Sequence, residues 1–129
     1  MPSNLTSLGF TRDSVSGALL VEEISGNPVL YAAISAAALG DNAVVAAAGA
    51  GLKIKVVSYK LVCTAANTVK WRSAAVDLEG GCAYAANQGV AFASDQKSPL
   101  LQTADNAPLN LNLSAATQVS GHVAYFVEA

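Results

Sequence analysis

Asp77 and Glu79 stand two residues apart, a spacing that on an extended strand puts both carboxylates on one face, where a pair can hold calcium or share acid–base work. A calcium loop uses more oxygen ligands in succession than this stretch supplies, so the expectation is a solvated strand end. His122 is the one histidine of the chain. A general base or a metal ligand needs an orienting or co-ligating neighbour, and none adjoins His122, which leaves a hydrogen-bonded structural or interface position in a strand. Cys63 and Cys82 form no CxxC pair, and with a single histidine they cannot complete a four-ligand zinc site within one chain. They could pair with each other, but without a secretory context buried free thiols acting as small hydrophobes are expected. No metal and no cofactor is expected.

Other chemical signals are equally short of partners. "GAGLK", residues 49–53, resembles a phosphate-cradling loop, yet it leads into a strand and lacks the Lys-Ser/Thr that opens a P-loop helix, so it reads as a turn. None of the serines sits in a GxSxG elbow, and a hydrolase lacks its residues. The glycosylation sequon "NLT" at residues 4–6 has meaning only in a secreted chain. Lys53, Lys55, Lys70 and Arg72 would form one basic strip if their two strands paired. Such a strip would be either solvated edge charge that blocks aggregation or a docking surface for an acidic partner.

Composition sets the frame for these residues. A chain of 129 residues makes one domain. It is 53% hydrophobic and 12% charged, outside the range of intrinsic disorder. Seven basic and nine acidic residues give no positive field for nucleic acid. The start lacks a basic segment followed by an apolar run of about 7–15 residues, so no secretory signal is expected. No apolar run reaches about 18 residues, so no membrane partner is expected. Twenty-six of the hydrophobic residues are alanine, which fills a thin interior and lets backbones approach closely. So much small apolar surface with so little charge points to burial against a partner, hence to an oligomer.

The elements follow from punctuation. Residues 1–16 are rich in Ser, Thr and Asn, with Leu5, Leu8 and Phe10 as isolated apolar points, and read as an extended arm ahead of a single domain over 17–129. From Gly17 short apolar runs alternate with turns at Gly26-Asn27-Pro28, Gly40-Asp41-Asn42 and Gly49-Ala50-Gly51. "YAAISAAAL" also has helical spacing at Leu30, Ile34 and Ala38, but Gly-Asp-Asn between two similar runs favours a hairpin of strands. "LKIKVVSYKLVC", residues 52–63, is the longest strand expected, with Lys53 and Lys55 on one face; past Val57 it should be covered on both sides. Val69 and Trp71 should face inward, Trp71 as the core anchor, opposite Thr68, Lys70 and Arg72. Gly80-Gly81 reads as a bulge or bend, Asn87-Gln88-Gly89 as a turn. Leu109, Leu111 and Leu113 alternate with Asn110, Asn112 and Ser114. The closing strand, Gln118 to Glu128, puts Val119, Gly121, Val123, Tyr125 and Val127 on one side and Ser120, His122, Ala124 and Phe126 on the other. About eight to ten short strands without a helix make an all-β fold: a two-sheet β-sandwich of jelly-roll or Greek-key connection.

The motif order "AISAAALGDNAVVAAAGAGLKIKVVSYKLVCTAANTVKW", a Gly-Gly segment, then "PLLQTADNAPLNLNLSAATQVSGHVAYFVEA" resembles small tailed-bacteriophage virion proteins, of the capsid decoration (cement) jelly-roll type. The likeness spans about residues 29–129 and departs where a glycine is expected before "LNLNL" and Asp105-Asn106-Ala107 stands instead. The resemblance implies a non-enzymatic protein on the capsid exterior, made in the host bacterial cytoplasm. Its implied partners are the major capsid protein and copies of itself, commonly as a trimer. From residue pattern, Leu5, Leu8 and Phe10 are expected as arm anchors, and Tyr59, His122 and Phe126 as inter-subunit positions. The alternative is a receptor- or sugar-binding jelly-roll component of a phage tail or fibre, which would present an exposed aromatic platform.

Overall fold

A computed structural model describes residues 27–129. The arm, with Leu5, Leu8 and Phe10, and the boundary at residue 17 lie outside the described residues. Ten strands follow in order: β1 Leu30–Ala36, β2 Gly40–Val45, β3 Lys53–Cys63, β4 Asn67–Ser73, β5 Val76–Asp77, β6 Cys82–Tyr84, β7 Gly89–Ala93, β8 Leu101–Gln102, β9 Leu109–Leu113 and β10 Val119–Glu128. They form two five-stranded antiparallel sheets packed face to face, a β-sandwich. In the first sheet β10 lies between β1 and β3, and β7 and β8 share the far edge of β3. In the second, β9 lies between β2 and β4, and β5 and β6 share the far edge of β4.

The core is built by period-2 alternation. Leu109, Leu111 and Leu113 of β9, Val69 and Trp71 of β4, and Val119 and Val123 of β10 meet Ile54, Val56, Leu61 and Cys63 of β3, with Ile34 and Ala36 of β1. Trp71 is the largest side chain of this interior, 1% exposed. Asn67, the one buried amide among the described residues, binds the 114–117 corner: its carbonyl accepts from the Ser114 and Ala115 N–H groups, and its amide donates to Ala115 O and Thr117 Oγ1. The Ala115 N–H and C=O, which the corner takes out of the ladder, thereby gain partners.

Two expectations about elements change. Gly40-Asp41-Asn42 does not turn a hairpin: β1 and β2 belong to opposite sheets, and these three residues open β2. Gly40 does take a positive φ of 91°, while Asn42 Nδ2 donates to Ala38 O and Gly40 O, so the glycine and the amide hold a corner that carries the chain across the sandwich. In β3 the alternation is interrupted once. Ala124 pairs with Ser58 and Tyr125 with Val56, leaving Val57 as an extra residue, a bulge that restores the inward phase for Tyr59, Leu61 and Cys63. Past it the outer side is not covered within the described chain, for Lys60 and Val62 are exposed.

Candidate functional site

The sandwich has an open side where the far edges of the two sheets face each other: β7 and β8 from one, β5 and β6 from the other. A hollow of about 220 Å³ lies there, lined by Tyr59, Glu79, Phe92, Leu100 and Leu101. Glu79 belongs to the link between β5 and β6. β5 pairs with β4 at Arg72 and Ser73 and β6 pairs with it from Asn67 to Val69, so the Trp71 N–H falls in the gap. Glu79 Oε2 accepts that N–H at 3.1 Å, replacing a strand partner. Tyr59 packs edge-on against Trp71, with ring centroids 5.3 Å apart. Phe92, paired with Tyr59 across β3 and β7, lies 5.5 Å from the Tyr59 ring at 53° and is 49% exposed.

Burial governs the electrostatics. It pushes the Tyr59 phenol up to about 12, with the nearby Glu79 charge adding to the effect. Burial also raises Tyr84, which stands near Cys82, Tyr59 and Glu79, and it raises the Glu79 carboxyl itself against the opposing Trp71 hydrogen bond. The hollow is thus a desolvated place whose one carboxylate meets no lysine, arginine or histidine among the described residues, whereas Asp41, Asp77, Asp105 and Glu128 each meet a cation.

The outer faces of the two sheets differ in chemistry. On the β4–β9 sheet Arg72 bonds both oxygens of Asp41 and lies 2.9 Å from Asp77, Lys70 bonds Asp77, and Asn112 donates to Asp41. On the β3–β10 sheet the register aligns Ser35, Ser120 and Val62, then Ala33, His122 and Lys60. The last row continues into Ala91 of β7. Small side chains leave a shallow depression of about 280 Å³ there, which His122 and Lys60 border. Tyr31, 71% exposed, stands on the same side, in register with Ala124.

Several expected site residues are therefore relocated. Lys53 and Lys55 belong to one sheet and Lys70 and Arg72 to the other, since β3 and β4 do not pair; no single basic strip exists, and all four are matched, Lys53 to Asp105, Lys55 to Glu128, Lys70 to Asp77 and Arg72 to Asp41 and Asp77. Asp77 and Glu79 do not share a site, because the chain leaves β5 after Asp77, sending Asp77 to the outer face and Glu79 into the hollow. Tyr59 is 8% exposed, so it is a core residue that reaches the hollow and no broad contact surface. Phe126 is 1% exposed, in a small cluster with Val57 and Ala124 under the Lys55 ammonium, and offers nothing to a neighbour. His122 does stand exposed on the outer face. Cys63 is buried in β3 and Cys82 exposed in β6; both are free thiols. Phe92 is the functional candidate that sequence reasoning passed over, its one signal being an apolar residue just past the Gly89 turn, whereas Glu79 was considered beside Asp77 and read as a solvated strand end, which the hollow corrects.

No family model matches this chain, and no curated protein is significantly similar to it.

Proposed function

We propose that this protein is a non-enzymatic structural component of a tailed-phage virion that coats the outside of the capsid and clamps its subunits. It acts together with copies of itself, as a trimer, and with the major capsid protein as its other partner. The motif order from residue 29 onward supports this reading, and one structural observation carries it: the asymmetry of the two outer faces. One face is knit by ion pairs and suits solvent. The other is a run of Ser, Ala and Val with Lys60, His122 and the exposed Tyr31 around a shallow depression, where a neighbour can approach the backbone closely and bury area at little entropic cost. Weak contacts of this kind gain strength through repetition on a symmetric shell.

Mass spectrometry of purified virions tests it. Copies in the hundreds, scaling with the capsomers, are expected; a handful per particle refutes decoration. Capsids stripped of the protein should rupture at a lower temperature than complete ones, and equal rupture temperatures would remove the clamping role. Deleting residues 2–16 should release the protein from capsids while leaving its β-sheet circular dichroism intact.

A second reading, a receptor- or sugar-binding part of a tail or fibre, draws support from Phe92, which stands half exposed beside a hollow that contains a carboxylate. The copy number separates the two.

A further inference from the structure

The hollow on the open side of the sandwich has a composition that selects its ligand. Glu79 supplies a carboxylate with one oxygen committed to the Trp71 N–H. Its environment is desolvated, and no basic side chain of the described residues neutralises it. Around it stand two aromatic rings, Tyr59 and Phe92, tilted by 53°, and the aliphatic Leu100 and Leu101. A poorly hydrated carboxylate beside aromatic faces favours a cation that carries hydrogen-bond donors, and the aliphatic wall favours a short apolar stem attached to it. Anions are repelled by Glu79. A sugar ring would present several hydroxyl groups to a wall whose polar groups are one carboxylate and one phenol, leaving the rest unpaired.

We propose that this hollow binds an alkylammonium group, either a free amine or the end of a lysine side chain from another chain, with Glu79 as counter-ion and Tyr59 and Phe92 as aromatic walls. The site goes beyond the decoration reading, and neither depends on the other.

The test is a titration of the isotope-labelled full-length protein, followed by amide NMR near neutral pH, with four probes. Butylammonium carries charge and stem, butanol the stem alone, Nα-acetyl-lysine methylamide the same group as a side chain, and methyl glucoside the saccharide alternative. Butylammonium should shift the amides of Glu79, Phe92, Leu100 and Leu101, and butanol should not. Glu79→Gln keeps an acceptor for the Trp71 N–H but removes the charge, and should weaken butylammonium binding by about tenfold or more. Phe92→Ala, at a half-exposed position, should weaken it by about two- to fivefold. In both variants an unchanged spectrum away from the hollow shows that the fold is kept. A response to both amines admits a partner's lysine, and a response to butylammonium alone assigns a free amine. Equal response to butanol, unchanged affinity in Glu79→Gln, a response to the glucoside alone, or no response to either amine would each overturn the proposal.

Discussion

Single residues divide into those fixed by packing and those fixed by charge, and each kind makes a separate prediction. Gly121 is opposite Leu61 in the β3–β10 pairing, and a Cβ built there would lie 2.0 Å from Lys60 O. Gly121→Ala must push the two strands apart, and a loss of about 2–3 kcal/mol, read as a lower urea midpoint, is expected. Trp71→Phe is expected to cost less than the ~3–5 kcal/mol of Trp71→Ala, because it keeps an aromatic ring packed against Tyr59 in the same interior. The carboxylates respond to pH with opposite signs. Asp77, bonded to Lys70, and Glu128, bonded to Lys55, are held below their ordinary values, so their contribution is present above the unfolded-state value and is lost as pH falls through the folded one. Glu79 is raised by burial; its contribution is present below the unfolded-state value and is lost as pH rises through the folded one. Glu79→Gln should therefore gain on the natural protein in urea stability between about pH 3 and pH 7, and Asp77→Asn should fall behind over the same interval. A comparison showing no such crossing would contradict both placements.

Among the elements, β3 and β10 organise the rest. Alternation was legible wherever one face is core and the other more open: Leu109 to Leu113 of β9 and Val119 to Val123 of β10 read out correctly because a leucine or valine at every second position has one stable orientation, whereas Ala124 and Phe126, read onto the outer side, are buried with Val57. The reading failed at Val57, where a bulge adds a residue to one strand only. A run with apolar residues at consecutive positions gives no sign of which one is extra. It failed also at Gly40-Asp41-Asn42, since a positive-φ glycine with an Asn serves a corner between sheets as well as a hairpin. The corner at 114–117 depends on Asn67. Asn67→Ala should lower stability by about 2 kcal/mol, by stranding the Ala115 N–H and removing the amide's own bonds to Ala115 O and Thr117 Oγ1, while Ser114 N–H keeps Thr68 O. The placement of β3 and β6 in opposite sheets separates Cys63 from Cys82. In the native protein a thiol reagent should modify Cys82 rapidly and Cys63 only on unfolding; two equally fast thiols would mean that the β3 interior is open.

Over the described residues, one outer face is closed by ion pairs, one is rich in small residues around a shallow depression, and one side between the sheets stays open over Glu79. If the small-residue face is the contact between copies, Ala33→Arg should lower the oligomer's mass in sedimentation without changing the monomer's circular dichroism. Ala33 is exposed on that face, on the edge strand β1 and in register with His122, and is not part of the core cluster. An unchanged mass would place the contact elsewhere.

By itself the sequence determined that the chain is an all-β sandwich, which strands carry the core, that Trp71 anchors it, and that His122 stands on an outer face, because period-2 burial and turn chemistry are local properties written into consecutive residues. The tertiary structure alone decided which strands are neighbours. That choice dissolved the basic strip, sent Asp77 and Glu79 to different surroundings, buried Tyr59 and Phe126, and assembled Glu79, Tyr59 and Phe92 from three separate segments. Pairing partners are chosen by contacts between residues far apart in the chain, and side-chain spacing within a segment holds no record of them.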